Sequence, residues 1–158
     1  ALKLAKDKGL RTVLNPAPAG NLPPDVVALA DFITPNETEL EVLSNLPGAG
    51  FKEQAQSLLT ADGQTIVVTM GARGAQYVRK GETALLPAYP VDVVDTTGAG
   101  DAFNAGLAVA LAEGRKLKEA IAFANATAAL CVTQPGTARS MPRRADVEAF
   151  LAKHSVTS

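Results

Sequence analysis

The chain has 158 residues, 47% hydrophobic and 20% charged, which is apolar material for one core of ordinary domain size and not for two. Fifteen lysines and arginines against sixteen aspartates and glutamates leave a net charge of -1, so the sequence lacks the basic footprint that holds a nucleic-acid backbone or an anionic membrane. One cysteine, Cys131, and one histidine, His154, rule out an internal disulfide and a Cys–His zinc cluster, and without a run near the ~18 apolar residues of a membrane span the expectation is a cytoplasmic protein.

The opening ALKLAKDKG reads as the last turns of a helix closed by Gly9. Since those turns are already under way at Ala1, the chain is expected to be a piece of something longer. RTVLN, residues 11–15, is β-rich, and four prolines between Pro16 and Pro24 then forbid regular structure. A brief helix is expected over 25–30 and a second strand over 31–34, after which Asn36 opens a helix over 37–46 that stops at Pro47-Gly48. Residues 51–59 make another helix. TIVVTM, residues 65–70, is a continuous apolar run, as in a central strand buried on both faces of a parallel sheet.

Residues 71–74 turn the chain into AQYVRK, and Gly81-Glu82 turns it again into TALLP, which predicts an antiparallel edge. VDVVD, residues 91–95, is read as a further strand, TTGAG as a glycine-rich turn, and residues 101–113 and 117–132 as two alanine-rich helices that pack closely. The loop TQPGTARSMP precedes a last helix over 143–153 whose apolar side carries Ala145, Val147, Phe150 and Leu151. Strands alternating with helices predict an α/β fold, a Rossmann-like, open, mostly parallel sheet with helices on both faces and an antiparallel edge. Ligands in such folds sit beyond the carboxyl ends of the strands, so the loops NPAPAGN, TPNETE, TMGARGA and VDTTGAGDAF are the expected site.

The strongest chemical signal is the run from Asp95 to Asp101, DTTGAGD, between an expected strand and a helix. Gly98 and Gly100 let the backbone approach a ligand, and the N–H groups of Ala99, Gly100 and Asp101 would converge on an anion at the positive end of the helix. Asp101 beside them can take the proton of an attacking hydroxyl while the amides stabilise charge on a transferred phosphoryl group. The plainer reading makes Asp101 a first-turn acid and the glycines a tight turn. No Walker loop is present, and Phe103 stands where a dinucleotide fingerprint needs its third glycine.

NETE, VTMGARGA and DTTGAGDAF, in this order along the chain, together resemble the ribokinase-like (pfkB-type) carbohydrate kinases over essentially the whole chain. The resemblance is to the C-terminal half of that family, whose sugar-binding residues and small β-sheet lid lie mainly in the N-terminal half. Residues 1–158 would then be the nucleotide-binding portion, with the N-terminal part and lid missing. By this resemblance Asp101 is the catalytic base and the amides of Gly98, Ala99, Gly100 and Asp101 bind the γ-phosphate. Asn36 and Glu39 match an N-x-x-E element that positions Mg²⁺, through water at Glu39, and the nucleotide phosphates. Residue chemistry alone makes this pair an N-cap and its capping box, and both roles can coexist.

Thr69, Gly71 and Gly74 match a T-x-G-x-x-G turn, so the family's ATP site would be lined from Thr69 through Met70, Ala72 and Arg73 to Gly74. Arg73 would reach phosphate, or else be a solvated turn arginine. Asn125 matches a position that contacts the adenine or ribose of ATP, although an asparagine among alanines can equally bond neighbouring backbone. For K⁺ the resemblance supplies Asp95 and Thr97 with Cys131 (through its carbonyl), Gln134, Gly136 and Ser140. The implied activity is ATP-dependent phosphorylation of a sugar primary hydroxyl, ribose first, by a protein that is a homodimer when complete and self-associates as this chain. A non-catalytic nucleotide-binding or oligomerising module stands as a second reading. A sister kinase for fructose, deoxyribose, a nucleoside or a sugar phosphate stands as a third.

Overall fold

Where each element stops is decided by local backbone chemistry. In the computed structural model, which describes residues 1–20 and 22–155, helix α1 (Leu2–Asp7) ends with Gly9 at φ 69. The N–H of Gly9 donates to Lys6 O at 2.9 Å and that of Leu10 to Ala5 O at 3.0 Å, the paired bonds of a Schellman closure. The remaining elements are β1 (Val13–Leu14), α2 (Pro24–Val27), β2 (Phe32–Ile33), α3 (Glu37–Ser44), α4 (Phe51–Ser57), β3 (Thr65–Thr69), a 3₁₀ turn (Gly71–Arg73), β4 (Ala75–Arg79), β5 (Glu82–Leu86), α5 (Ala99–Ala112), α6 (Leu117–Cys131) and α7 (Arg144–Ser155). The chain divides into two compact units: Ala1–Met70 with Ala75–Leu85, and Gly71–Gly74 with the chain from Leu86 onward.

The first unit is built on a sheet of order β1-β2-β3-β4-β5. Its first three strands are parallel, with Leu14 beside Ile33 and Ile33 beside Ile66, and β4 runs antiparallel to β3. Ile33, Ile66, Val68 and Val78 pack with Val27, Ala30, Leu40, Ala55 and Leu58 into one core. As expected for a central strand, Thr65 to Val68 are all buried. Val67 and Tyr77, opposite each other in the ladder, are fully buried as well. The antiparallel edge read from residues 75–87 is present.

Side chains close the gaps between strands. Gln64 is buried, and its Nε2 hydrogens donate to Val27 O at 2.8 Å and Ala30 O at 2.9 Å while its Oε1 accepts from the amides of Thr60 and Ala61, both at 2.8 Å. Asp31 Oδ2 accepts from the amide of Thr12 at 2.7 Å, and Lys6 donates to Oδ1 at 2.9 Å. Burial pushes the Asp31 carboxyl up, but the Lys6 ammonium and the Thr12 donors outweigh it and hold the group below its ordinary range.

Several elements are shorter than the sequence implies, for identifiable reasons. The first strand loses residue 12 because the Thr12 amide serves Asp31 and not a ladder. The helix expected over 25–30 is one turn starting at Pro24, and the helix expected to reach residue 46 ends at Ser44 because Asn45 turns left-handed at φ 52. The strand expected over 91–95 does not form. Val94 and Asp95 both donate to a single carbonyl, Val132 O, at 2.8 and 3.2 Å, and Val93 and Val94 stay 60% and 62% exposed. A β-rich composition without a neighbouring ladder leaves extended chain.

The second unit is organised by α5 against α6. Ala102, Phe103, Gly106, Leu107, Ala110 and Leu111 of α5 are buried, as is most of α6 from Ala120 to Cys131. A Cβ at Gly106 would lie 2.7 Å from Thr127 Oγ1 and 3.0 Å from Ala124 Cα, so this crossing depends on a missing side chain. Helix α7 is tied to the end of α5 and the segment after it by ion pairs of Arg144 with Glu113 at 2.6 Å and of Glu148 with Arg115 at 3.4 Å. Among the described residues no helix is long and apolar enough to cross a membrane.

Gly106→Ala tests the crossing. The helix-propensity gain of about 1 kcal/mol opposes an overpacking cost of about 1–3 kcal/mol, and the backbone of α6 cannot yield as a flexible side chain would. Thermal unfolding should show a lowered Tm, by about 2–8 °C; an unchanged or raised Tm would mean that the helices separate freely.

Candidate functional site

The start of α5 is shaped by Asp95. One carboxylate oxygen accepts from the amide of Thr97 at 2.9 Å and from its hydroxyl at 2.6 Å. The other accepts from the amide of Gly136 at 2.9 Å, which ties the segment before the helix to the loop after α6. The Thr97 hydroxyl first, then the Gly136 and Thr97 amides, hold the Asp95 carboxyl down at about 2. Beyond it the chain reverses at Gly98, left-handed at φ 81, where a Cβ would stand 3.4 Å from three atoms of Thr137.

The helix opens with fewer free donors than expected. The amide of Ala99 closes a tight turn onto Thr96 O at 3.2 Å, so it is not available to an anion. The N–H groups of Gly100 and Asp101 meet no acceptor among the described residues. Asp101 is exposed on the first turn of α5, and no hydrogen bond or ion pair engages its carboxylate among the described residues. An unencumbered carboxylate beside two unpaired amides can accept a proton and hold an anion in the same place.

The loop after α6 brings the remaining cation candidates to Asp95. Ser140 Oγ shares its hydrogen between Gly136 O at 2.6 Å and Thr137 O at 2.7 Å and lies 3.2 Å from Cys131 Sγ. The amide of Gln134 donates to Cys131 O at 3.3 Å. Asp95, Thr97, Cys131, Gln134, Gly136 and Ser140 thus form one contiguous cluster. Its carboxylate, hydroxyl and carbonyl oxygens are donors that suit a large monovalent cation. The sulfur of Cys131, buried against Ser140, faces inward.

In the first unit, Asn36 and Glu39 sit at the carboxyl ends of the parallel strands. Asn36 Oδ1 accepts from the Glu39 amide and Glu39 Oε2 from the Asn36 amide, both at 2.8 Å, a complete capping box. Asn36 bridges Thr69, whose amide donates to Pro35 O at 3.0 Å. The box uses one oxygen of Glu39. Among the described residues no hydrogen bond or ion pair takes the other, which could hold a water-bearing ion such as Mg²⁺, an ion that takes few protein ligands.

Met70 lies just past β3, and the glycine turn follows in the second unit. Ala72 and Arg73 are exposed on the 3₁₀ turn, and Gly74 donates to Gly71 O at 3.0 Å. Gly74 has φ 98, and a Cβ there would collide with backbone: 2.5 Å from Ala88 N, 2.6 Å from the carbonyl carbon of Pro87, and closer still to Leu86 O. Asn125, 6% exposed, donates both amide hydrogens to this same segment, to Leu86 O at 3.0 Å and Pro87 O at 3.1 Å. Only its oxygen remains for a ligand. Sequence reasoning missed Thr137, Thr96 and the Leu86–Pro87 carbonyls. Thr96 lies inside the DTTGAGD run but acts through its carbonyl, and a backbone carbonyl carries no signal in the sequence.

The family described as pfkB family carbohydrate kinase matches residues 1–144. The ribokinase of Haemophilus influenzae is 41% identical over 154 residues, which is 96% of this chain and 50% of that protein. The crystal structure of a ribokinase from Thermotoga maritima superposes with a TM-score of 0.87 at 38% identity, covering 96% of this chain and 52% of that one. That of Arabidopsis thaliana ribokinase complexed with ribose and ATP gives a TM-score of 0.82 at 33% identity, covering 95% and 50%. The α/β fold with its mixed sheet is the ribokinase-like fold of these proteins. The chain spans about half the length of the relatives it matches.

The Asp95 contacts carry a pH dependence whose sign is fixed. A carboxyl held at about 2 in the folded chain, against an ordinary 3.8, contributes stability in full above 3.8 and loses it as pH falls through about 2. The Tm difference between the native chain and Asp95→Asn should therefore be constant above pH 5 and shrink as pH is lowered toward 2. A difference independent of pH would show that the carboxylate does not hold Gly136.

Proposed function

The chain belongs to the pfkB family of carbohydrate kinases, and from that premise we propose that it is the C-terminal, nucleotide-handling half of a kinase that phosphorylates a sugar primary hydroxyl with ATP. Ribose is the first candidate acceptor. The observation that carries this reading is the start of α5, where the exposed carboxylate of Asp101 and the amides of Gly100 and Asp101 stand side by side, none with a partner among the described residues. The two ribokinase structures and the relative from H. influenzae support the acceptor.

Asp101 takes the proton of the sugar hydroxyl as its oxygen attacks the γ-phosphorus of ATP. The bond to the bridging oxygen breaks, ADP leaves with its electron pair, and the proton stays on Asp101 until solvent removes it. The amides of Gly100 and Asp101, presented by the turn at Gly98 and Ala99, stabilise the charge that develops on the transferring group. Asn36, Thr69 and the residues from Met70 to Gly74 line the nucleotide. Glu39 would hold Mg²⁺ through water, and the ion would offset phosphate charge. Asp95, Thr97, Cys131, Gln134, Gly136 and Ser140 would hold K⁺, which would order the turn before α5. A cytoplasmic location is part of the same proposal.

Titration calorimetry of this chain with Mg·ATP should give binding in potassium buffer and weaker binding where a bulky cation replaces it. Absence of binding in both buffers would restrict the nucleotide reading to a longer protein. In phosphoryl-transfer assays with ribose, fructose and deoxyribose as acceptors, Asp101→Asn should cut turnover by about 100-fold or more with Mg·ATP affinity nearly intact. Turnover near that of the native residue would overturn the base assignment.

A further inference from the structure

Two backbone segments of the second unit meet without room for a side chain. Gly74 seats against Leu86–Ala88 so closely that any Cβ would overlap main-chain atoms. Its φ of 98 independently bars other residues. The segment it seats against cannot hold itself in place, because Pro87 has no N–H to offer a ladder and β5 ends at Leu86. What fixes it is Asn125, whose two amide hydrogens clamp the consecutive carbonyls of Leu86 and Pro87 at 3.0 and 3.1 Å. On α6 this side chain lies among buried Phe123, Ala124, Ala126 and Ala129, and the other buried polar group of the run, Thr127, spends its hydroxyl on Phe123 O within the helix.

We propose that Asn125 is a positioning residue for the Gly71–Gly74 turn: it holds the Leu86–Pro87 backbone as the wall on which Gly74 rests, and acts on a bound nucleotide through that wall and not by touching the base. The inference rests on the nucleotide reading of the turn. Its structural half, the clamp itself, does not. Remove the two donors and the Leu86 and Pro87 carbonyls lose their partners and turn toward water. Gly74, which is held by contact alone on that side, then loses its seat. The turn's own bond from Gly74 N–H to Gly71 O, 3.0 Å long, opens more often.

The test compares the native chain with Asn125→Ala, with Asn125→Leu as a variant that keeps apolar volume on α6 if the first folds poorly. Hydrogen exchange at the Gly74 amide, without nucleotide, should quicken by about tenfold or more, while amides in the middle of α5, such as Leu107, hold their rates. Calorimetric affinities for Mg·ATP, Mg·GTP and inorganic tripolyphosphate, taken well below each variant's Tm, should fall by a common factor. A further arm uses Gly74→Ala: it should weaken all three ligands alike, and the double variant should be no worse than the more damaged single, since both open one joint. Unchanged exchange at Gly74 would overturn the clamp. Loss of ATP affinity with GTP and tripolyphosphate spared would make Asn125 a base contact and overturn the positioning role. If the native chain binds none of the three ligands while Gly74 exchange quickens as expected, the clamp stands and the nucleotide reading is what fails.

Discussion

Backbone N–H and C=O groups that leave a strand or open a helix without a ladder partner must be satisfied by something else, or the element cannot end where it does. Among the described side chains that meet that requirement, as Asp31 does at Thr12, four matter most here. Gln64 serves four backbone groups between α2 and β3. Asn36 begins α3. Asp95 gathers Thr97 and Gly136 ahead of α5, and Asn125 holds the exit of β5. Each is an amide or carboxylate that can bind two or more groups at once, so a single residue fixes the path of a loop. A charge-assisted or doubly bonded contact of this kind, once broken in a buried setting, costs about 1–3 kcal/mol.

The candidate site follows from what this satisfaction leaves over. Asp95 is engaged by three donors, and its carboxyl is held down at about 2, so it is suited to fix geometry and unsuited to exchange protons near neutral pH. Asp101, six residues on, has the same side chain in the opposite condition, exposed and without a partner among the described residues. In the proposed reading the two aspartates of one motif divide the work between shaping and reacting. The same division runs through the asparagines and glutamates. Asn36 and Glu39 spend one atom each on the cap and keep others in reserve, whereas Asn125 spends both of its amide hydrogens.

Legibility in the sequence tracks how local the cause is. The DTTGAGD turn, the Asn36 cap and the closure at Gly9 depend on residues within a few positions, and composition betrays them. β3 was legible because burial on both faces demands an unbroken apolar run. Residues 91–95 look the same by composition, yet form no strand, since the decision rests on whether a neighbouring ladder exists and not on Val91, Val93 and Val94 themselves. The order β1-β2-β3 is a long-range fact of the same kind. At the site, the engagement of Ala99 by Thr96 and the seat of Gly74 on Leu86–Ala88 were hidden because carbonyl oxygens are identical in every residue.

Three glycines show how differently one residue type can be required. Gly98 is needed for its left-handed φ of 81, with Thr137 near but not prohibitive at 3.4 Å. Gly106 sits in a right-handed helix and is needed only for its size, against Thr127 and Ala124. Gly74 is needed on both counts, at φ 98 and with main chain inside contact distance. A clash with a flexible side chain is relieved by rotation, but a clash with a backbone held by another residue's hydrogen bonds is relieved only by breaking them. Gly74 is thus coupled to Asn125 through atoms neither residue owns. The tolerance of the glycine turn to change is therefore set on α6, 51 positions along the chain from Gly74 to Asn125.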